Sequence, residues 1–102
     1  MFNHIVLFKL KDFQNDQQKS EKRDQIKEAL LALKEKIAEL KYLEVGNNFE
    51  LNGTSFDIAL FSRFDSQADF VVYRDHPDHQ TVVSLVRANT VDRAVVDYLT
   101  EG

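Results

Sequence analysis

The chain has no cysteine, no tryptophan, one proline and three glycines among its 102 residues. Without a thiol there is no disulfide framework, no thiolate nucleophile, no cysteine-based zinc site and no cysteine-ligated iron–sulfur cluster. Long apolar runs are missing too: the opening stretch Phe2–Leu10 falls far short of the 18 residues of a membrane span and has no basic segment before it. No membrane partner is expected, and the chain reads as soluble and cytoplasmic. A basic excess is also lacking, since 13 Lys and Arg stand against 17 Asp and Glu for a net charge of −4, with the two signs interleaved. A counterion-release grip on nucleic acid is therefore not expected. Repeats and low-complexity tracts are absent, and the polar segment Lys11–Glu21 is the one stretch that reads as a linker.

What is present is 43% hydrophobic and 29% charged residues, enough for one domain over residues 1–102 and too little for two. A domain of this size buries roughly 60–70% of its unfolded surface, so pairing with a second copy is a natural way to hide more. Phe2, His4, Val6, Phe8 and Leu10 alternate with Asn3, Ile5, Leu7 and Lys9, which makes a strand with apolar residues on both faces. A strand wetted on one side alternates cleanly, so the second face also needs a cover. From about Asn15 to Leu40 the spacing of Ile26, Leu30, Leu33, Ile37 and Leu40 predicts a helix lying on a sheet. Leu43, Val45, Phe49 and Leu51 follow a period of two, Asn52-Gly53 marks a hairpin turn, and Phe56, Ile58, Leu60 and Phe64 define one face of the next strand. The opposite face carries Ala59 and Phe61, a second strand without a wet side. Ser66 is an N-cap for a short helix with Phe70 and Tyr73, Pro77 suits the first turn of another helix running to about Ala88, and Val91–Leu99 is a last strand. The order β, α, β, β, broken α, β predicts an α+β, ferredoxin-like βαββαβ fold: a four-stranded antiparallel sheet with helices on one face. Two copies stacked sheet against sheet would bury Ile5, Leu7 and Phe61 and close an α+β barrel around an interior cavity, where function is expected.

Two of the three histidines fall within Tyr73-Arg74-Asp75-His76-Pro77-Asp78-His79. Histidine serves as acid or base near neutral pH, and a tyrosine beside it donates to a developing oxyanion, a pairing suited to enol or aldol chemistry. His76 sits at or before the helix start, where capping suffices to explain it. His79 also suits a half-buried ring bonded to a backbone carbonyl, Tyr73 a core aromatic with its hydroxyl at the rim, and His4 in the first strand a similar role. A metal site from Asp75, His76, Asp78 and His79 matches none of the helical zinc patterns. Neither a Gly-rich phosphate loop nor a supported Ser-His-Asp set occurs, and Asp57, Asp92 and Asp97 read as salt-bridge or turn residues.

The segments His4-Ile5-Val6-Leu7-Phe8-Lys9-Leu10, Leu43-Glu44-Val45-Gly46-Asn47-Asn48, Phe56-Asp57-Ile58-Ala59-Leu60, Tyr73-Arg74-Asp75-His76-Pro77-Asp78-His79 and Val95-Val96-Asp97-Tyr98 together resemble the stress-responsive A/B barrel domain family, called Dabb. The resemblance covers essentially the whole chain and implies a ferredoxin-like protomer that forms a homodimeric α+β barrel. The family includes plant stress-induced proteins, bacterial proteins without assigned activity, and a polyketide cyclase, olivetolic acid cyclase. Its catalytic Tyr and His match Tyr73 and His79, and a further pocket histidine matches His4. Fold alone does not select among these functions. The expected reading is a homodimer whose cavity takes a small, partly apolar molecule through Tyr73, His76, His79 and His4, without cofactor or metal. The alternative is a cofactor-free cyclase or isomerase in which His79 is the base, Tyr73 orients or protonates an enolate oxygen, and His4 tunes the pocket. Cofactor-free monooxygenases and haem-degrading enzymes are related by fold analogy, and the lack of tryptophan speaks against them.

Overall fold

The computed structural model describes residues 1–49 and 55–101. Its elements are β1 (Phe2–Leu10), α1 (Asp16–Lys36), β2 (Tyr42–Asn47), β3 (Ile58–Phe64), α2 (Gln67–Asp75), α3 (Pro77–Asn89) and β4 (Thr90–Leu99). The four strands form one antiparallel sheet in the order β2-β3-β1-β4. This is the βαββαβ arrangement expected, with the second helix broken in two.

Local chemistry explains the element boundaries. The Asn15 side chain accepts from the Gln18 amide at 2.8 Å, so α1 begins inside the segment that reads as a linker. Ser66 caps α2 in the same way, accepting from the Asp69 amide at 3.1 Å. His76 ends α2 and caps α3, and Pro77 follows at the first helical position, where its missing N–H is no loss. The chain therefore turns at His76-Pro77 rather than bending one helix. β2 stops at Asn47, which leaves Phe49 92% exposed and off the expected track, while the predicted Asn52-Gly53 turn lies outside the described residues.

Every member of the predicted α1 stripe, Ile26, Leu30, Leu33, Ile37 and Leu40, is buried. They meet Val6, Phe8, Val45, Ile58, Leu60 and Phe64 on one face of the sheet. At roughly 1.5–3 kcal/mol for each such side chain, this layer is the main favourable term in folding. Asp57, itself buried, ties the layer together: Oδ2 accepts from the Leu10 amide at 2.7 Å and Oδ1 pairs with Lys19 of α1 at 3.2 Å. The Leu10 amide needs this acceptor because the β1–β3 ladder ends at Phe8 and Ile58, which leaves it without a strand partner on that side.

Among the described residues, no helix covers the other face. Ile5, Leu7, Phe61, Ala94, Val96, Tyr98 and Tyr42 share it by register, with Val96 58% and Tyr98 41% exposed. Within the single protomer a cavity lies on the opposite side, between the sheet and helices α2 and α3. The reason is that α1 covers one half of the sheet closely, whereas α2 and α3 stand over the β1–β4 half with a gap beneath them.

Candidate functional site

The gap has a volume of about 320 Å³, at the small end of ligand pockets. Val6, Leu60, Val82, Val86 and Val95 make it mainly apolar, and His4, Tyr73, His79 and Asp97 bring polar groups to it. Alternation along β1 places His4 on the helix side with Val6 and Phe8, and the β1–β4 register sets Asp97 directly opposite it. His4 Nδ1 and Asp97 Oδ1 are 2.5 Å apart. A carboxylate only accepts, so His4 Nδ1 carries the proton of this pair. Ser62, the neighbour of His4 on β3, is small and donates its hydroxyl to the His4 carbonyl at 3.3 Å.

An aromatic cluster holds the two sides of the site in place. Phe70 stacks on Phe2 at 4.6 Å between centroids and packs tilted against His4 at 4.8 Å. Tyr73, only 1% exposed, packs on Phe64 at 5.0 Å and on His79 at 4.2 Å. Such ring pairs contribute about 0.5–1.5 kcal/mol each beyond the area they bury and fix ring orientation.

The break at Pro77 gives His79 its second contact. The last carbonyls of α2 lack helical partners, and that of Arg74 accepts from His79 Nδ1 at 3.0 Å and from Gln80 Nε2 at 2.6 Å. A carbonyl cannot donate, so His79 Nδ1 carries a proton and Nε2 is free to accept one. Burial holds His79 below the usual histidine pKa; the Arg74 carbonyl opposes this, His4 and His76 add to it, and Asp75 opposes it. His79 is therefore a neutral imidazole near pH 7. Burial also pushes the Tyr73 phenol up, so it stays protonated and remains a hydrogen-bond donor throughout the working pH range.

Of the four residues expected to form the site, three converge. His4, Tyr73 and His79 line the cavity. His76, expected as a ligand-binding residue, is not among the lining residues: its Nδ1 accepts from the Asp78 amide at 3.1 Å, which makes it the cap of α3. The alternative metal set does not assemble, because Asp75 pairs with Arg74 at 3.0 Å while His76 and Asp78 are taken up by the cap; among the described residues no group of three metal-ligating side chains comes together. Asp97, read only as a salt-bridge residue, proves to be the partner of His4. Its signal was the alternation of β4, where Arg93 and Asp97 flank Val95 while Ala94, Val96 and Tyr98 lie on the other side. Arg74, Arg87 and Arg93 also line the cavity and were not singled out in the sequence.

The model of the family described as Stress responsive A/B Barrel Domain, Dabb, matches residues 2–100. None of the curated proteins matches the chain. Among solved structures, a dimeric protein of unknown function with a ferredoxin-like fold from Bacteroides fragilis is 38% identical, with 95% of this chain and 93% of that one covered and a TM-score of 0.84. A dimeric ferredoxin-like protein of unknown function from Thermobifida fusca is 28% identical over 97% of this chain and 90% of its own, with a TM-score of 0.82. A hydroxynitrile lyase from Passiflora edulis is 21% identical over 98% of this chain and 93% of its own, also at 0.82, a likeness of fold. No helix among the described residues is long and apolar enough to cross a membrane.

Proposed function

The chain belongs to the stress-responsive A/B barrel domain family, and from that premise we propose that it is a homodimer that binds a small, partly apolar molecule in the cavity between its sheet and helices α2 and α3. The observation that carries this reading is the composition of the cavity: apolar walls with His4, Tyr73 and His79 grouped at one end. Such a lining takes an apolar body by burial and orients it through a few hydrogen bonds. The homodimer is supported by the uncovered apolar sheet face and by the dimeric Bacteroides fragilis relative. A cytoplasmic setting suits the cysteine-free composition, and a net charge of −4 directs the protein to small molecules rather than nucleic acid.

Native mass spectrometry of protein purified gently from its host tests both parts. The expected species lies near twice 11.8 kDa with a small added mass. A monomer at all concentrations would remove the dimer, and a bare protein that binds nothing from a small amphiphile panel would remove the ligand.

A second reading has its own support, the two imidazoles whose Nδ1 protons are held by acceptors. In this reading His79 Nε2 takes a proton from a C–H next to a carbonyl or nitrile, the Tyr73 hydroxyl donates to the oxygen or nitrogen that gains charge, and His4, held by Asp97, tunes the pocket. Cyclisation or isomerisation then needs no cofactor. Deuterium uptake from D2O into the bound molecule, lost in His79→Ala with the dimer intact, is the expected result. Unchanged uptake would remove His79 from the chemistry.

A further inference from the structure

The cavity has two polar ends. At one end stand His4, Asp97, Tyr73 and His79. Along α3, His79 and Arg87 are eight residues apart, or about 12 Å of helix rise. Along β4, Asp97 and Arg93 are four residues apart, or about 13 Å of strand. The wall and the floor thus run in step, and both lead from the imidazole end to an arginine, with Val82, Val86 and Val95 between.

The charges at the two ends are balanced differently. At the imidazole end, His4 is paired with Asp97, and Arg74 has Asp75 against it. At the far end, neither Arg87 nor Arg93 has a carboxylate partner among the described residues; the nearest acidic neighbour in sequence, Asp92, uses Oδ1 to accept from the Arg93 backbone amide. The dipole of α3 accounts for a cation in its last turn at Arg87. It does not account for Arg93, which lies on the strand and faces the same cavity.

We infer that the molecule taken by this cavity is a monocarboxylate with an unbranched or aryl apolar body, its carboxylate held by Arg87 and Arg93 and its far end delivered to His4, Tyr73 and His79. This deepens the small-molecule reading above and rests on it. Planar guanidinium groups match a carboxylate with paired, charge-assisted hydrogen bonds. The valine-lined middle offers nothing to a sugar or a nucleoside, whose hydroxyls would be stripped of water there without partners.

Calorimetric titration of the intact protein at pH 8 and low salt with octanoate and with octanamide, its neutral counterpart, tests the inference. Octanoate is expected to bind about tenfold or more tighter than octanamide, an advantage that shrinks as salt is added. The double variant Arg87→Gln/Arg93→Gln is expected to abolish the advantage while leaving octanamide affinity unchanged; both arginines are exposed, so the fold tolerates the change. Equal affinity for the two probes in the natural protein would overturn the headgroup assignment and leave the cavity-binding reading standing. A preference for octanoate that survives the double variant, or a rise in the His79 titration midpoint on binding followed by NMR, would put the carboxylate elsewhere and also overturn it. Binding of neither probe, together with a bare native mass, would defeat the inference and the reading beneath it.

Discussion

The two faces of the one sheet solve opposite problems. On the helix side, β1 presents Phe2, Val6 and Phe8 to a core supplied by the same chain, and all three are buried. On the other side, Ile5 and Leu7 lie beside Phe61, Ala94 and Val96, and no helix among the described residues covers them. β4 makes the contrast sharper, because its more apolar side points away from the helices: Ala94, Val96 and Tyr98 face outward, Arg93 and Asp97 inward. An antiparallel sheet packed on one side ordinarily shows the reverse. The inner face lines a polar-ended cavity, and the outer one offers the apolar surface that the proposed homodimer would bury.

Leu7→Glu breaks the comparison most severely. A two-fold interface receives the substitution twice, and an unpaired carboxylate buried there costs about 3–5 kcal/mol. The dimer is expected to dissociate at micromolar concentration in sedimentation velocity, while circular dichroism shows the protomer still folded. An undisturbed dimer would mean that this face is not the interface.

Two phenylalanines three residues apart then measure the faces against each other. Phe64, fully buried among Phe2, Phe70 and Tyr73, is expected to cost about 3–5 kcal/mol on truncation to alanine, at any protein concentration. Phe61 touches the Tyr42 ring edge-on at 5.7 Å on the uncovered face. Its loss is expected to lower the melting temperature by an amount that depends on protein concentration, as subunit association requires. Concentration-independent melting of Phe61→Ala would make that face an ordinary solvated surface.

Much of this contrast is legible in the sequence, because it rests on short-range periodicity. The double alternation of β1, the Ile26, Leu30 and Leu33 stripe of α1, the cap Ser66 and the helix-starting Pro77 each act within one element and are found where their pattern puts them. By contrast, α1 ends at Lys36 and leaves the expected stripe members Ile37 and Leu40 buried beyond it. The cavity is different. Its place depends on how far α2 and α3 stand from β1 and β4, a matter of packed volume that no periodicity reports. The same holds for the partner of His4. Asp97 is 93 residues away in the chain and comes opposite only through the β1–β4 register. His76, by contrast, looked like a member of the site because it stands three residues from both Tyr73 and His79, and the break at Pro77 assigns it to a helix cap instead.

The smallest effect separates the faces by pH. Burial lowers the His79 pKa in the folded protein below its unfolded value of about 6.5. Between those two midpoints the unfolded chain binds more protons than the folded one, so stability increases with pH across that window and levels off above about 6.5. Falling pH removes this contribution as it passes through the folded midpoint. Urea unfolding from pH 5 to pH 8 is expected to show the slope in the natural protein and a flatter one in His79→Gln. An identical slope in both would show that His79 is not its source. The outer face carries none of the three histidines, since His4 and His79 line the cavity and His76 caps α3. The dimer dissociation constant is therefore expected to stay flat from pH 6 to pH 8 while folding stability changes beneath it. Parallel variation of the two would mean that the faces are coupled through the sheet, and that the cavity's protonation state is communicated to the interface.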